Sequence, residues 1–372
     1  MAGKNLASKY SSKIDERFTR ESLVMAALNN DYEFTGVNTV NVYSIPVVPM
    51  QDYTRSGSNR YGTPKDLQRN VQTLTVTRDR SFTFVIDRGD KIQSMMVSDA
   101  GKALSRQTNE VWIPEFDAYV LRTMAAAATA HGGFSSVAAT KTNAYELFLA
   151  GQEYLGDKNV PDTGRVAFCS YKFANLLKQD PAFVKTGDSS QGMVIKGQVG
   201  EVDGVKIVKV PSSRLPAGCA FILTHPSATT APKQLNDYKI HDNPPGINGW
   251  LCEGRVVYDC FVLNEKKDAI YYHGSQAVLK GISVMTAPSI GADGKTTVII
   301  TTEKENSANT YMYQTYKGTK PTVALDTALG TGWTAVTNSA EIQPTSGHTA
   351  IMVVEVNADK KPVGVGTATI NA

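Results

Sequence analysis

The segment from Val160 to His273 decides the fold of this chain. It contains, in order, GRVAFCSYKFANLLKQD (164–180), IKGQVGEVDGVKIVKVP (195–211) and CEGRVVYDCFVLNEKKDAIYYH (252–273). The apolar run Val166–Cys169 predicts a short buried strand. Ser170 is placed to cap a helix, because its hydroxyl can accept a hydrogen bond from the first helical turn. Apolar residues then recur at helical spacing until Asp180-Pro181, where we expect the helix to end.

A turn and a second buried strand follow in the middle stretch. Gly200 and Gly204 bracket the predicted turn. The β-branched run from Val205 to Val210 is typical of a buried strand, and Pro211 is expected to stop it. No catalytic signature accompanies these elements.

Composition indicates a globular chain long enough for two or three domains. Of its 372 residues 41% are hydrophobic and 20% are charged, and 38 basic against 35 acidic residues give a net charge of +3. This balance is too even to predict nucleic-acid binding over the whole surface. No signal peptide and no apolar run of membrane-spanning length is recognisable, so neither secretion by that route nor a membrane-embedded product is expected. The four cysteines lack metal-site spacing and are interpreted as structural thiols: Cys169, Cys219, Cys252 and Cys260. Structural thiols predict synthesis in a reducing cytoplasm.

The amino-terminal third predicts an arm and a long extended loop. Residues 1–36 form a polar arm with an amphipathic helix. The alternating runs 37–48 and 71–86 are expected to pair as two long antiparallel strands. The polar stretch 51–70 between them is much longer than ordinary hairpin loops of about 2 to 5 residues. Such a loop has too little core to be stable alone and needs a neighbour to lie on.

Helices are predicted next. Pro114 divides the region into a shorter helix over about Asp99–Asn109 and a long one over Pro114–Ala130, because proline fits only the first helical turn. A further helix is expected over Ala144–Tyr154. A short strand is predicted over Leu235–Ile240.

The composition changes at about Met285. Threonine becomes frequent and short strands recur with turn residues between them: TTVIITTE, TYMYQTY, WTAVT, AIMVVEV and VGVGTATI. This pattern favours a small β-sandwich of Ig-like type over residues 286–372. The alternative is that these strands extend the main sheet.

Motifs that carry chemistry are absent or misleading. The five histidines are scattered, and neither a metal-ligand pair nor a nucleophile elbow occurs. GADGKTT lacks the first glycine of a phosphate loop and leads into a strand, so it is rejected. Arg88-Gly89-Asp90 is interpreted as a turn. We therefore predict no catalytic residue, no metal site and no cofactor.

The order of these segments resembles the major capsid proteins of tailed bacteriophages. WIPEFDAY (112–119) and GRVVYDCFVL (254–263) have the character of the family's spine helix and returning peripheral strands. The resemblance implies an α+β major capsid fold over residues 1–285. Its parts would be the arm (1–36), the extended loop (37–86), a peripheral domain (87–140 and 251–285) and an axial domain (141–250). Residues 286–372 would be an appended Ig-like domain.

The resemblance also implies a structural function and not an enzyme. Many copies would assemble as hexamers and pentamers into an icosahedral shell around double-stranded DNA. Assembly would take place in the host bacterial cytoplasm, and the product would be the virion capsid. A separate scaffolding protein and a portal protein are implied partners, because no room exists for a scaffolding region before the arm. The appended domain would lie outside, where it could bind a host-associated glycan.

Two groups of basic residues are candidates for contacts in such a shell. Cations in the loop tip are expected at subunit contacts: Arg55, Arg60, Lys65 and Arg69. Cations in the arm are expected to face DNA through electrostatic, sequence-independent contact: Lys4, Lys9, Lys13, Arg17 and Arg20.

Two alternatives remain open from the sequence. An encapsulin-like compartment would use the same shell fold to enclose protein cargo. A polysaccharide-acting enzyme with a carbohydrate-binding β-module would also join a larger domain to a small sandwich. The enzyme would need two carboxylates about 5 to 10 Å apart in a cleft, and no local motif supports that pair.

Overall fold

The computed structural model describes residues 22–29, 31–32, 39–45, 47–64, 66, 70–89, 100–182, 200–289, 294–302, 304, 307–323 and 327–370. Its α-helices are α1 (Ala100–Gln107), α2 (Ile113–Ala130), α3 (Ala144–Asp157) and α4 (Tyr171–Gln179). Of the strands in the described residues, those up to residue 274 are β1 (Thr39–Ser44), β2 (Asn70–Thr75), β3 (Arg78–Asp87), β4 (Phe134–Ser135), β5 (Val166–Ser170), β6 (Glu201–Val202), β7 (Val205–Val210), β8 (Cys219–Thr224), β9 (Thr229–Thr230), β10 (Lys233–Asp242), β11 (Gly249–Tyr258), β12 (Phe261–Val262) and β13 (Ile270–Gly274). The remaining strands are β14 (Lys280–Gly281), β15 (Val284–Pro288), β16 (Thr296–Ile300), β17 (Thr310–Tyr316), β18 (Thr334–Val336), β19 (Ala340–Ile342), β20 (Ala350–Val356) and β21 (Pro362–Thr369).

The chain divides into two compact units. One contains the described parts of 29–104 and 230–266, and the other contains those of 16–28, 105–229 and 267–372. The first unit holds the antiparallel pair β1–β2 and a three-stranded antiparallel sheet in the order β10-β11-β3.

The pairing of the extended loop differs from the sequence prediction. The run 71–86 was expected to pair throughout with 37–48, but only β2 pairs with β1, from Thr39↔Thr75 to Ser44↔Asn70. After Thr77 the chain continues as β3 and pairs with β11 instead. Asp259 fixes this change of partner, because its carboxylate accepts hydrogen bonds from both the amide and the hydroxyl of Thr77, each at 2.9 Å.

The second unit is built on a mixed six-stranded sheet in the order β4-β13-β8-β5-β7-β6. The local predictions for its central segment are confirmed: β5 is fully buried, and the Ser170 hydroxyl accepts from the Phe173 amide at 3.1 Å. The β6–β7 turn uses Asp203 and Gly204, both with positive φ (51° and 76°), as tight hairpin turns require. Helices α3 and α4 pack on this sheet through an apolar core that includes Phe148, Phe173 and Phe221.

The helical region agrees with the prediction and adds one detail. Between α1 and α2 the chain forms a π-helical turn, Thr108–Trp112, so the break expected at Pro114 is a change of helix type. Pro114 lies in the first turn of α2, where its missing amide costs no helical hydrogen bond.

The strands after β13 form a two-layer sandwich. One sheet has the order β14-β21-β20-β17-β18 and the other β15-β16-β19, and no described strand after β13 joins the six-stranded sheet. The layers enclose an apolar core formed by Ile282, Val284, Val298, Ile300, Tyr311, Val336, Ile342, Ile351 and Val353. The sandwich thus takes strands from Lys280 onward, whereas the sequence placed its start at residue 286. Its short strand β19 was not predicted.

Sheet membership also crosses two boundaries drawn from the sequence. β4 and β13 lie in the six-stranded sheet, although the ranges 87–140 and 251–285 assigned them to the peripheral domain. β11 runs through the boundary at 250/251. The assignment to peripheral and axial domains therefore stays a prediction, and the strand pairing favours keeping β10 and β11 together.

Candidate inter-subunit surface

The base of the β1–β2 hairpin is anchored by a small apolar cluster. Leu74 and Val76 are buried, and they pack with Val40 and Val42 of β1 and with Leu263. Gln72 adds two bonds outside the hairpin: its side chain donates to the Val262 carbonyl at 3.0 Å and accepts from the Asn264 amide at 2.9 Å. The hairpin base is thus fixed to its own subunit.

The tip of the hairpin carries exposed apolar side chains. Large hydrophobic side chains project into solvent along this part of the chain: Tyr43, Ile45, Val47, Val48, Met50, Tyr53, Tyr61 and Val71. Val47 is 93% exposed and Met50 is 98% exposed. A concentration of exposed apolar side chains marks an interaction surface. The sequence prediction emphasised the polar residues of this tip and missed its apolar ones, which IPVVPM (45–50) could have shown.

The tip nevertheless has local order. The amide of Thr54 donates to the Arg60 carbonyl at 3.1 Å, and the Tyr53 and Tyr61 rings meet edge to face with centroids 5.0 Å apart. Gly57 and Asn59 have φ of 91° and 59°, which permit the chain to reverse between them. The tip thus presents its side chains from a defined turn.

The predicted contact cations fall partly on this turn. Arg55 and Arg60 are exposed, and within the described residues neither forms an ion pair. The Arg60 Nε donates to the Gly57 carbonyl at 3.2 Å. Lys65 and Arg69 lie outside the described residues. So do the predicted DNA-facing residues, Lys4, Lys9, Lys13, Arg17 and Arg20.

The three-stranded sheet presents a face of alternating charges. Arg255 on β11 binds Asp79 on β3 through two nitrogens, with a shortest contact of 2.5 Å, and Lys239 binds Asp237 at 2.9 Å. The hydrogen bond from Arg255 lowers the pKa of Asp79, and the same pair raises the pKa of Arg255. Arg255, Lys239 and Asp237 border a cavity of about 440 Å³. Both pairs are solvent-exposed, so they add little stability and leave charge available for specificity.

One glycine shapes this sheet. A Cβ at Gly254 would lie 2.4 Å from the Phe82 ring and 2.8 Å from the Tyr238 ring. The absence of a side chain therefore lets two aromatic rings cover the centre of β11.

A buried ion pair holds the segment around Ser22 to the long helix. Asp117 on α2 accepts from the Ser22 hydroxyl at 2.6 Å, the Leu23 amide at 3.0 Å and Arg214 at 2.7 Å. Both charged side chains are buried. The prediction of α2 did not include this network, although an acidic residue on an apolar helix face indicates a buried partner.

The described residues show no catalytic constellation. They contain no group of three or more metal-ligating side chains, and the four cysteines are free. Burial raises the pKa of Cys219 to about 12. The pKa of the buried Cys169 thiol is also raised, by burial first and by Cys219 second. No described helix is long and apolar enough to cross a membrane.

No protein-family model matches the chain, and no curated protein matches it. Solved phage structures do. A structure from Mycobacterium phage Che8 has a TM-score of 0.61 and 18% identity over 73% of this chain and 98% of that chain. The capsid structure of cyanophage P-SCSP1u has a TM-score of 0.57 and 15% identity, and the match covers 73% of this chain and 93% of that chain. The mature capsid of bacteriophage PhiM1 has a TM-score of 0.55 and 13% identity, and the match covers 72% of this chain and 91% of that chain. The chain has the tailed-phage capsid fold.

This capsid fold confirms the α+β class predicted from the order of segments. The sandwich after β13 is consistent with an appended β domain, and its Ig-like character stays a prediction.

Proposed function

We propose that the chain is the major capsid protein of a tailed bacteriophage, which assembles through hexamers and pentamers into an icosahedral shell around double-stranded DNA. The observation that supports this proposal most is the fold shared with the capsid structures of cyanophage P-SCSP1u and bacteriophage PhiM1, of whose chains 93% and 91% are covered. The function is structural, and the virion capsid is its location.

The exposed hairpin tip supports assembly as the role of this fold. Val47 and Met50 are almost fully exposed. Burying such side chains at an interface yields roughly 25 cal/mol per Å² of apolar area removed from water. A second copy of the chain is the partner that is always present at high local concentration in a shell.

The remaining partners follow from the same proposal. The arm cations would contact packaged DNA through its phosphates, with salt-dependent and sequence-independent affinity. A separate scaffolding protein would guide assembly in the host bacterial cytoplasm, and a portal protein would occupy one vertex. The C-terminal sandwich would be displayed outside as an Ig-like domain, where it could bind a host-associated glycan.

Expression in a bacterial cytoplasm, followed by size-exclusion chromatography and electron microscopy, tests the proposal. We expect closed shells or capsomers from the native chain, alone or with a scaffolding protein. Met50→Asp should abolish or weaken assembly, whereas Met285→Asp, at an exposed methionine of the sandwich, should leave it unchanged. Small shells that enclose protein cargo would favour the encapsulin alternative. A compact monomer under every assembly condition would contradict the shell function.

A further inference from the structure

The outer strands of the described sheets differ greatly in length. β3 and β10, at the two edges of the three-stranded sheet, have ten residues each, whereas every other outer strand in the described residues has six or fewer. An outer strand presents backbone N–H and C=O groups to which another strand can pair, and proteins usually protect a long edge with lysine, proline or a β-bulge. A long edge without such protection marks a site for pairing with another chain.

The β10 edge has this protection and the β3 edge lacks it. β10 carries Lys233 and Lys239, and its register with β11 shifts near its first residue. β3 contains no lysine, proline or glycine, and its register with β11 is regular over its whole length. The charge of Asp79 on β3 is balanced by Arg255 of its own sheet. The β3 edge is thus open to a further strand.

Backbone hydrogen bonds identify the residues of β3 that face outward. The Arg88 amide donates to the Asn248 carbonyl at 3.0 Å, in continuation of the β3–β11 register. Residues of an antiparallel strand alternate between bonding to a neighbouring strand and facing away from it. The backbone groups that face away from β11 are therefore those of Asp79, Ser81, Thr83, Val85 and Asp87. All five residues are exposed, and within the described residues no backbone group bonds to them on that side.

A second copy of β3 is complementary to this edge. If the two strands pair antiparallel with Phe82 of both copies at a two-fold axis, Ser81 of each copy lies opposite Thr83 of the other. Arg80 then lies opposite Phe84, and a guanidinium against an aromatic ring is a favourable cross-strand pair. The outward backbone groups of the two strands also coincide in this register, so they can form a ladder.

Charge distinguishes this register from its neighbours. An axis at Thr83 would place Asp79 opposite Asp87 and Arg78 opposite Arg88, and like charges directly opposite each other are destabilising. An axis at Ser81 would avoid these pairs but shorten the ladder. The axis at Phe82 therefore gives the longest pairing without opposed like charges.

We propose that the chain associates with a second copy of itself through the β3 edge, where the two strands pair antiparallel about a two-fold axis at Phe82. The two three-stranded sheets then form one continuous sheet across the interface. The same patch is used on both copies, as a closed two-fold contact requires. In the proposed shell this contact joins subunits across a two-fold axis, so its setting rests on the proposed function.

Single cysteines at outward positions test the register. We expect Ser81→Cys chains mixed with Thr83→Cys chains to form a disulfide-linked dimer on mild oxidation, because opposite residues of this ladder are about 5.5 Å apart. Either variant alone should cross-link far less, since its cysteine faces a hydroxyl residue of the like chain. The native chain, with its four cysteines, gives the background. Ile240→Cys, on the β10 edge, should give no dimer with either variant.

Proline substitution tests the backbone pairing itself. Thr83→Pro removes an outward N–H and leaves the hydrogen bonds to β11 in place, so the subunit should fold but lose the association. Ile240→Pro is the matched control: the Asn243 amide donates to the Gly249 carbonyl at 2.8 Å, which makes Ile240 an outward residue of β10. It should associate like the native chain. Light scattering measures association, and thermal unfolding checks that both variants fold.

The outcomes separate this inference from the shell function. Mixed cysteine chains that cross-link no more than the native chain, in shells or in solution, would overturn the pairing, and shells seen by microscopy would leave the proposed function standing. A mixed dimer without shells would support the pairing and contradict the shell. Stronger cross-linking within Ser81→Cys or Thr83→Cys alone would also overturn it, because it requires a different register. So would a folded Thr83→Pro chain that associates like the native one.

Discussion

Arg214 donates to the carboxylate of Asp117 at 2.7 Å, and both side chains are buried. The pair links the short helix Ser212–Arg214 to α2, and the same carboxylate receives the backbone amide of Leu23. The segment around Leu23, the short helix that ends at Arg214 and α2 are thus joined through the Asp117 carboxylate.

Arg214→Ala should therefore destabilise the subunit strongly. It leaves the Asp117 carboxylate buried without its cation, which typically costs about 3–5 kcal/mol of unfolding free energy. Lys158→Ala is the matched control, because Lys158 meets Asp268 at 3.9 Å on the surface and should cost less than about 1 kcal/mol. Denaturant unfolding of assembly-free subunits measures both. Equal losses in the two variants would show that the buried pair has no special role.

The subunit should lose stability as the pH falls through the range where histidine titrates. Burial lowers the pKa of His273, opposed by its hydrogen bond to the Val137 carbonyl. The unfolded chain then binds a proton more readily than the folded one. This contribution is complete above the ordinary histidine pKa of about 6.5 and declines below it. Melting temperatures from pH 7.5 to 5 should fall less steeply in His273→Phe than in the native chain. An equal fall in His273→Phe and in the native chain would contradict this.

Charge reversal at the hairpin tip should affect assembly and not folding. Arg55 and Arg60 are exposed and form no ion pair among the described residues, so Arg55→Glu and Arg60→Glu should change subunit stability by less than about 0.5 kcal/mol. Light scattering during assembly should nevertheless show slower or weaker shell formation, with a strong dependence on salt. Variants that melt early as isolated subunits would show instead that these residues support the fold.

The sandwich should be removable if the chain is cut at the correct place. A chain ending at Leu279 keeps Val278, whose amide donates to the Thr129 hydroxyl at 3.4 Å, and removes every sandwich strand. We expect it to assemble. A chain ending at Met285, near the boundary seen in the composition, would leave the core residues Ile282 and Val284 uncovered and should aggregate. Failure of the shorter chain to assemble beside the full-length chain would make the sandwich part of the shell architecture.

The elements that the sequence predicted best are specified by their own residues. The Ser170 cap and Pro114 in the first turn of α2 each depend on a few neighbours along the chain. Local chemistry determines them, so a single sequence is enough.

The elements that it could not predict depend on distant partners. The alternation from β2 into β3 continues without glycine or proline, so nothing local shows that β2 pairs with β1 and β3 with β11. The Asp117–Arg214 pair joins residues 97 positions apart, and β19 is only three residues long. The apolar side chains of the hairpin tip can be read from the sequence, but their exposure to solvent cannot, because it depends on which other segments pack nearby.

The contact between Thr77 and Asp259 has a mechanical consequence. It fixes the point at which the chain passes from the hairpin into the three-stranded sheet, because the amide and the hydroxyl of Thr77 both donate to one carboxylate oxygen. A change in the angle between the hairpin and the three-stranded sheet must therefore rotate the backbone near Thr77 or break its hydrogen bonds to Asp259. Copies of one chain at sites of different curvature would have to differ in this angle, so Asp259 would act as the fulcrum of the hairpin and set how sharply a lattice of subunits can bend.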